Sequence, residues 1–206
     1  MLVSFEGIDG CGKSTQVRAV SQRLTQRGYE CVTTFEPGST RIGARIRDML
    51  LDKQFDNMAP LTELLLFNAQ RVQHIEEIIR PALERKKIVL VDRFTDSTIA
   101  YQGYGRGGDL SLIETLQRLT TGSVAPDITF LLDIDAAEGF RRNAATNTID
   151  RIESEGLQFY EMVRRGYLDI ATREPQRFVT LQSSRPVEEL TEAITGVIVE
   201  RLERCP

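Results

Sequence analysis

Gly7-Ile8-Asp9-Gly10-Cys11-Gly12-Lys13-Ser14, followed by Thr15, is the stretch on which the reading of this chain turns. It fits the spacing G-x-x-x-x-G-K-[ST]. Glycines in that spacing let the backbone curl around an anion and leave its amide N–H groups exposed. The apolar run from Leu2 to Phe5 comes just before it and reads as a buried strand. Lys13 to about Arg27 follows as a helix, whose N-terminus adds partial positive charge. Gly7, Ile8, Asp9, Gly10, Cys11, Gly12, Lys13, Ser14 and Thr15 are therefore the expected cradle for a nucleotide's phosphates. Lys13 is spaced to reach the β- and γ-phosphates, and the Ser14 hydroxyl to ligate Mg²⁺.

Outward from this loop the chain alternates between two patterns. Tyr29 to Phe35, Ile88 to Val91, Ile128 to Leu132 and Phe178 to Leu181 are further short apolar runs. Thr40 to Leu51, Leu110 to Leu119, Asp135 to Arg142 and Ile152 to about Thr172 read as helices. Pro60 opens the longest periodic segment, with Leu61, Leu64, Leu65, Val72, Ile75, Ile79 and Leu83 at helical spacing, and Pro81 is placed to kink or end it. Pro186 opens a last amphipathic helix. Gly103 to Gly108 reads as a glycine-rich loop and Asn143 to Thr148 as a polar, mobile one. Continuous apolar strands separated by helices predict an α/β fold whose parallel sheet is covered on both faces. With 206 residues and no linker, the whole span 1–206 is expected to form one domain.

Composition narrows the class. The formal charge is −4, which speaks against a basic surface for nucleic acid. No run approaches the roughly 20 apolar residues that cross a bilayer. The chain enters its first strand at once, with no signal peptide in view. Cys11, Cys31 and Cys205 are odd in number and scattered, which suits a reducing cytoplasm. His74 is the only histidine, so a His-based metal site or a Ser-His-Asp hydrolase is hard to build; it reads as a helix-surface residue without a role. Asp92 ends one buried run at the edge where ligands bind in open α/β sheets, and Arg93 follows it. Asp92 is therefore the expected metal carboxylate. Asp133 is a rival of similar pattern, read instead as a strand-end cap. Asn-Lys-x-Asp, His-Arg-Asp and Asp-Phe-Gly sets are all missing, which argues against a GTPase or a protein kinase. A small kinase remains.

Further stretches carry a resemblance. Phe5-Glu6-Gly7-Ile8-Asp9-Gly10 runs into Gly12-Lys13-Ser14-Thr15. Then come Glu36-Pro37-Gly38, Leu65-Leu66-Phe67 with Arg71, Asp92-Arg93-Phe94, Asp96-Ser97, Ala100-Tyr101-Gln102-Gly103, Gly105-Arg106-Gly107 and Asp150-Arg151-Ile152-Glu153. From about Val3 to Leu202 the chain resembles the bacterial thymidylate kinases. That resemblance implies a three-layer P-loop NTPase fold, with a five-stranded parallel sheet in the order 2-3-1-4-5 and a small lid near 142–150. It implies transfer of phosphate from Mg-ATP to dTMP, giving dTDP on the way to dTTP, by a cytoplasmic homodimer. Arg93 and Arg47 would hold the acceptor phosphate. Phe67 would stack on thymine and Arg71 would donate to the base. Ser97 and Gln102 would line the base or sugar pocket, and Tyr101 would pack on the deoxyribose. Asp9 and Glu36 would face the acceptor.

Two departures stand out. Phe35 occupies the place of the family's usual arginine before Glu-Pro-Gly. The phosphate loop has Gly10 and Cys11 in place of an arginine, and the lid keeps arginines only at its ends. Arg142 or Arg151 is therefore expected to act as the transition-state cation. Another small nucleotide or nucleoside kinase, and an ATP-binding switch without catalysis, are the alternative readings. Cys11, near a helix N-terminus, is a candidate for a lowered thiol pKa, set against a plain packing role.

Overall fold

A computed structural model describes residues 1–146 and 150–204. Five strands form its centre: β1 (Leu2–Glu6), β2 (Cys31–Phe35), β3 (Ile88–Asp92), β4 (Ile128–Asp133) and β5 (Phe178–Gln182). They pair in the order β2-β3-β1-β4-β5, all parallel, as the resemblance implied. Phe5 and Phe35 both register with Asp92. The carboxyl ends of β1, β2 and β3 therefore come together at one edge, beside the phosphate loop.

Side chains alternate across each strand, and two cores result. Val3, Phe5, Ile88, Leu90 and Phe130 pack with Val17, Val20 and Leu24 of α1 (Lys13–Gln26) and with other helices in the larger core. Leu2, Val89 and Val91 point the other way, onto Ile75, Ile79, Ala82 and Phe94. The remaining helices are α2 (Arg41–Leu51), α3 (Pro60–His74), α4 (Arg80–Glu84), α5 (Thr95–Thr98), α6 (Leu110–Thr121), α7 (Ala136–Thr146), α8 (Leu157–Arg173) and α9 (Val187–Arg204). No described helix is long and apolar enough to cross a membrane.

Several boundaries differ from expectation, each for a local reason. Pro81 does not end its helix. A π-helical stretch, Ile75–Ile79, follows α3, and Pro81 then sits in the first turn of α4, where its missing N–H costs nothing. The glycine-rich segment from Gly103 is not a loop at its start, because a π-helix runs Ile99–Gly105. Its glycines serve close packing: a Cβ on Gly105 would stand 2.6 Å from the Phe159 ring. The helix expected from Ile152 begins only at Leu157, after a 3₁₀ turn and after Gly156 at φ +85°. α7 takes in Asn143–Thr146, which had read as loop. Part of the expected lid, residues 147–149, lies outside the described residues, as does Cys205.

The apolar stripe on α3 is the largest surprise in packing. Leu61, Leu65 and Val72 are 40–52% exposed. The buried face carries Glu63, Asn68, Gln70, Arg71 and His74 beside Leu64. Ion pairs and hydrogen bonds satisfy most of these polar groups, and that permits their burial.

Candidate active site

β1 delivers the chain into the phosphate loop at Gly7, whose φ of +137° suits only glycine. A Cβ there would also strike the Leu132 carbonyl and the Cys11 sulfur. The loop ends at Gly12, φ +92°, and α1 begins at Lys13. Lys13 folds back across the loop, and its Nζ donates to the carbonyls of Gly7 (3.1 Å) and Ile8 (2.9 Å). Next to it the Ser14 hydroxyl donates to Asp92 Oδ2 at 2.5 Å. A hydroxyl and a carboxylate thus face each other where β3 ends, a donor set that suits Mg²⁺ sharing its remaining positions with phosphates. Asp133 is placed otherwise. It is buried in an ion pair with Arg164 (2.7 Å) and accepts from Gln182.

Two cavities meet at this edge. The first is lined by Gly10, Gly12, Lys13, Ser14, Thr15 and Asp92, with Arg142 reaching in from α7. The second is lined by Phe67, Arg71, Ser97, Tyr101 and Gln102, together with Pro37 and Thr98. Asp9, Glu36, Arg47 and Arg93 line both. The second cavity thus gathers all nine residues expected to face an acceptor.

Arg93 stands at the junction. Its Nη2 donates to Asp9 Oδ1 (2.5 Å) and the Tyr101 hydroxyl (2.9 Å), and its Nη1 to the Gly7 carbonyl (2.9 Å). Its guanidinium lies 4.9 Å from the centre of the Tyr101 ring. Tyr101 in turn donates to Asp9 Oδ2 at 2.8 Å. Burial alone would raise the Asp9 pKa, but the charges of Arg93 and Lys13 outweigh it and hold the carboxyl well below the usual range. Arg47 donates to the Pro37 carbonyl (2.8 Å) and lies 5.9 Å over the Phe35 ring. Phe35, where the resemblance expects arginine, thus supports a neighbouring cation.

Arg71 is fully buried. It donates to Glu36 Oε2 (2.8 Å) and the Phe94 carbonyl (3.0 Å), while its Nη1 has no hydrogen-bond partner among the described residues. The Thr98 hydroxyl on the same cavity is likewise buried and unpartnered. Phe67 is half-buried and reaches the cavity from α3. Gln102 is held by Glu63 at 2.9 Å.

Three expectations need correcting or placing. His74 is not on the surface. It is wholly buried, with Nδ1 2.9 Å from Glu36 Oε1 and Nε2 2.7 Å from the Thr34 hydroxyl, and so it braces Glu36. Cys11 is buried beneath the loop, and burial pushes its thiol pKa up despite the charge of Lys13. Alkylation of Cys11 in the native protein should therefore run far slower than that of a free thiol at pH 7. Rapid modification there, read by peptide mass mapping, would contradict its burial. Arg151 lines neither cavity. Its guanidinium is committed to Glu63 Oε2 (2.6 Å) and the Leu50 carbonyl (2.8 Å). Arg142 borders the first cavity and donates to Glu138 at 2.7 Å.

Tyr167, Thr98 and Glu63, beneath the site, gave no functional signal in the sequence, and Glu6 beside them was not assigned a role. Glu6 carried one usable sign, a carboxylate ending an otherwise apolar strand.

A parallel sheet in this order, a phosphate loop after its central strand and an aspartate at the end of β3 define a P-loop NTPase. The comparisons with known proteins are specific. The thymidylate kinase family model matches residues 5–194. The thymidylate kinase of Chlorobium luteolum is 45% identical, over 98% of this chain and 99% of that protein. That of Geobacter sulfurreducens is also 45% identical, over 98% of each. The crystal structure of thymidylate kinase from Ehrlichia chaffeensis superposes with a TM-score of 0.80 at 37% identity, covering 96% of this chain and 98% of that one. The chain belongs to the thymidylate kinase family.

Proposed function

We propose that this chain phosphorylates dTMP to dTDP with Mg-ATP as donor, acting as one kinase domain in the cytoplasm. The observation that carries this reading is the shared wall of the two cavities. Asp9, Glu36, Arg47 and Arg93 line both, so a donor and an acceptor can meet there.

The chemistry asks little of the protein in proton transfer. A nucleoside monophosphate has a second pKa of about 6 and is mostly dianionic at pH 7, so it can attack without a general base. It must instead be brought in line with a second anion that repels it. Arg93, fixed by Asp9 and Tyr101, and Arg47, fixed by Pro37, are placed to hold the acceptor phosphate. The phosphate-loop amides and Lys13 hold the donor, and Arg142 is the cation placed to offset charge on the transferred group. Ser14 and Asp92 would hold Mg²⁺, which would supply charge neutralisation for the donor phosphates.

Base recognition follows from the unpartnered atoms. A buried donor without a partner is costly, and Arg71 Nη1 together with the Thr98 hydroxyl can regain partners from a carbonyl and imide edge. Phe67 offers the stacking surface. Tyr101, locked to Asp9, closes the sugar side of the cavity. The exposed stripe of Leu61, Leu65 and Val72 supports a homodimer through α3. An ADP-release assay with Mg-ATP and a panel of dTMP, dUMP, dCMP, dGMP, dAMP and UMP tests the acceptor. Fast turnover on dTMP with weak dUMP is expected. A preference for a purine or for dCMP would overturn the roles of Phe67 and Arg71.

A further inference from the structure

Arg93, the residue at the junction of the cavities, has an unusual backbone. Its φ is +69°, a left-handed conformation that side-chain-bearing residues seldom adopt. Such a conformation persists only where its surroundings hold it. Two hydrogen bonds from the turn fasten it to β1: Arg93 N–H donates to the Phe5 carbonyl (3.0 Å), and Phe94 N–H to Glu6 Oε1 (2.7 Å). The other Glu6 oxygen, Oε2, accepts from the Ser97 hydroxyl (2.6 Å) and the Tyr167 hydroxyl (3.0 Å). Those two hydroxyls also accept from Arg93 Nη1, at 3.3 and 3.1 Å. Glu6 itself is fully buried and makes no salt bridge among the described residues.

These bonds have a direction. A guanidinium can only donate. Ser97 and Tyr167 must therefore present oxygen to Arg93 and send their protons elsewhere. The two hydroxyls lie 2.8 Å from each other and both lie within reach of Glu6 Oε2, so one proton can pass between them while at least one ends on Glu6. A carboxylate, which only accepts, is the group that completes this order. We propose that Glu6 is a positioning residue for phosphoryl transfer: it fixes both the backbone turn and the guanidinium of Arg93 toward the acceptor phosphate without touching either substrate. This deepens the kinase reading above and rests on it.

The burial of Glu6 has a cost that packing alone does not explain. Burial, joined by the charge of Asp96, raises its pKa from 4.5 to about 7. A carboxyl raised in the folded state favours the native fold at low pH, and that contribution is lost as pH climbs from about 4.5 through about 7. A neutral replacement of the same shape removes that cost at pH 8, which offsets the hydrogen bonds it loses. Glu6→Gln keeps a carbonyl for Phe94 N–H but sets an amide donor against two hydroxyls that already receive donors from Arg93. The hydroxyl proton that ended on Glu6 loses its acceptor, and Arg93 loses its fixed position.

The test is Glu6→Gln at pH 8, with steady-state kinetics, ATP affinity and thermal melting measured side by side. The expected result is a fall of about tenfold or more in kcat/KM for dTMP, with ATP affinity within about twofold of wild type and a melting temperature no lower. Tyr167→Phe removes one hydroxyl link while keeping the carboxylate, and should shift dTMP kinetics in the same direction by a smaller factor. Wild-type dTMP kinetics in both variants would overturn the proposal, as would equal losses toward ATP and dTMP. Should Glu6→Gln melt markedly lower, Glu6 is a structural group and the proposal fails. A wild-type protein inactive on dTMP would instead sink the kinase reading, so the two failures are distinguishable.

Discussion

Arg93→Ala is expected to lower kcat/KM for dTMP by about 10²-fold or more, since the guanidinium holds the acceptor phosphate in line and a misplacement of about 1 Å costs about 10²-fold. The loss has two sources. The cation at the meeting point of the cavities disappears, and Asp9 keeps a half-buried carboxylate without its principal partner. Asp9 then repels the incoming phosphate or takes up a proton. Arg93→Lys should recover little, because one ammonium cannot bridge Gly7, Asp9 and Tyr101 in the fixed fork that the guanidinium provides. ATP affinity should change much less, since Lys13 and the loop amides remain. Steady-state kinetics in both substrates would read this split. A change within about threefold in kcat/KM for dTMP would contradict the placement of Arg93 at the acceptor phosphate.

Arg142 and Arg151 are expected to fail in different ways. Arg142→Ala should lower kcat by about 10³-fold with little loss of stability, as expected for removing a transition-state cation from a half-exposed position. Its partner Glu138 also holds Arg141, so Glu138 keeps a cation when Arg142 is removed. Arg151→Ala should act chiefly on stability. Removing one member of a buried ion pair costs about 3–5 kcal/mol, softened here because Arg106 also reaches Glu63. Melting curves and kcat for both variants separate the roles. If both retain kcat within about threefold, neither arginine is the transition-state cation.

The sequence carried the frame of this account further than its details. The phosphate loop is legible because G-x-x-x-x-G-K-[ST] specifies backbone geometry as well as side chains, and the four remaining strands read as apolar runs of the right length. The acceptor residues came from resemblance. The structure brings all nine to one cavity, though nothing in the periodicity of α3 separates Phe67 or Arg71 from core or solvated positions. Periodicity failed where polar groups satisfy one another inside. Leu61, Leu65 and Val72 advertised a buried face, while Arg71, His74 and Glu63 took it, because Glu36, Thr34 and Arg151 from distant segments partner them. Such pairings span about 35 to 90 residues and leave no local mark. His74 is the clearest instance. A lone histidine on a helix reads as surface, and only the arrival of Glu36 and Thr34 makes it a brace. The π-helical segment Ile99–Gly105 was missed for a related reason, since glycines that permit close helix packing look the same in sequence as glycines that open a loop.

The central claim is transfer of the γ-phosphoryl group of ATP to dTMP rather than to water. Phosphorus NMR of a mixture of the protein, Mg-ATP and dTMP follows it directly. The expected spectrum shows ADP and dTDP growing together as ATP and dTMP decline, with inorganic phosphate a minor signal. ATP consumed with inorganic phosphate as the product, or ATP unchanged while bound, would contradict the claim and favour a nucleotide-binding switch over a kinase.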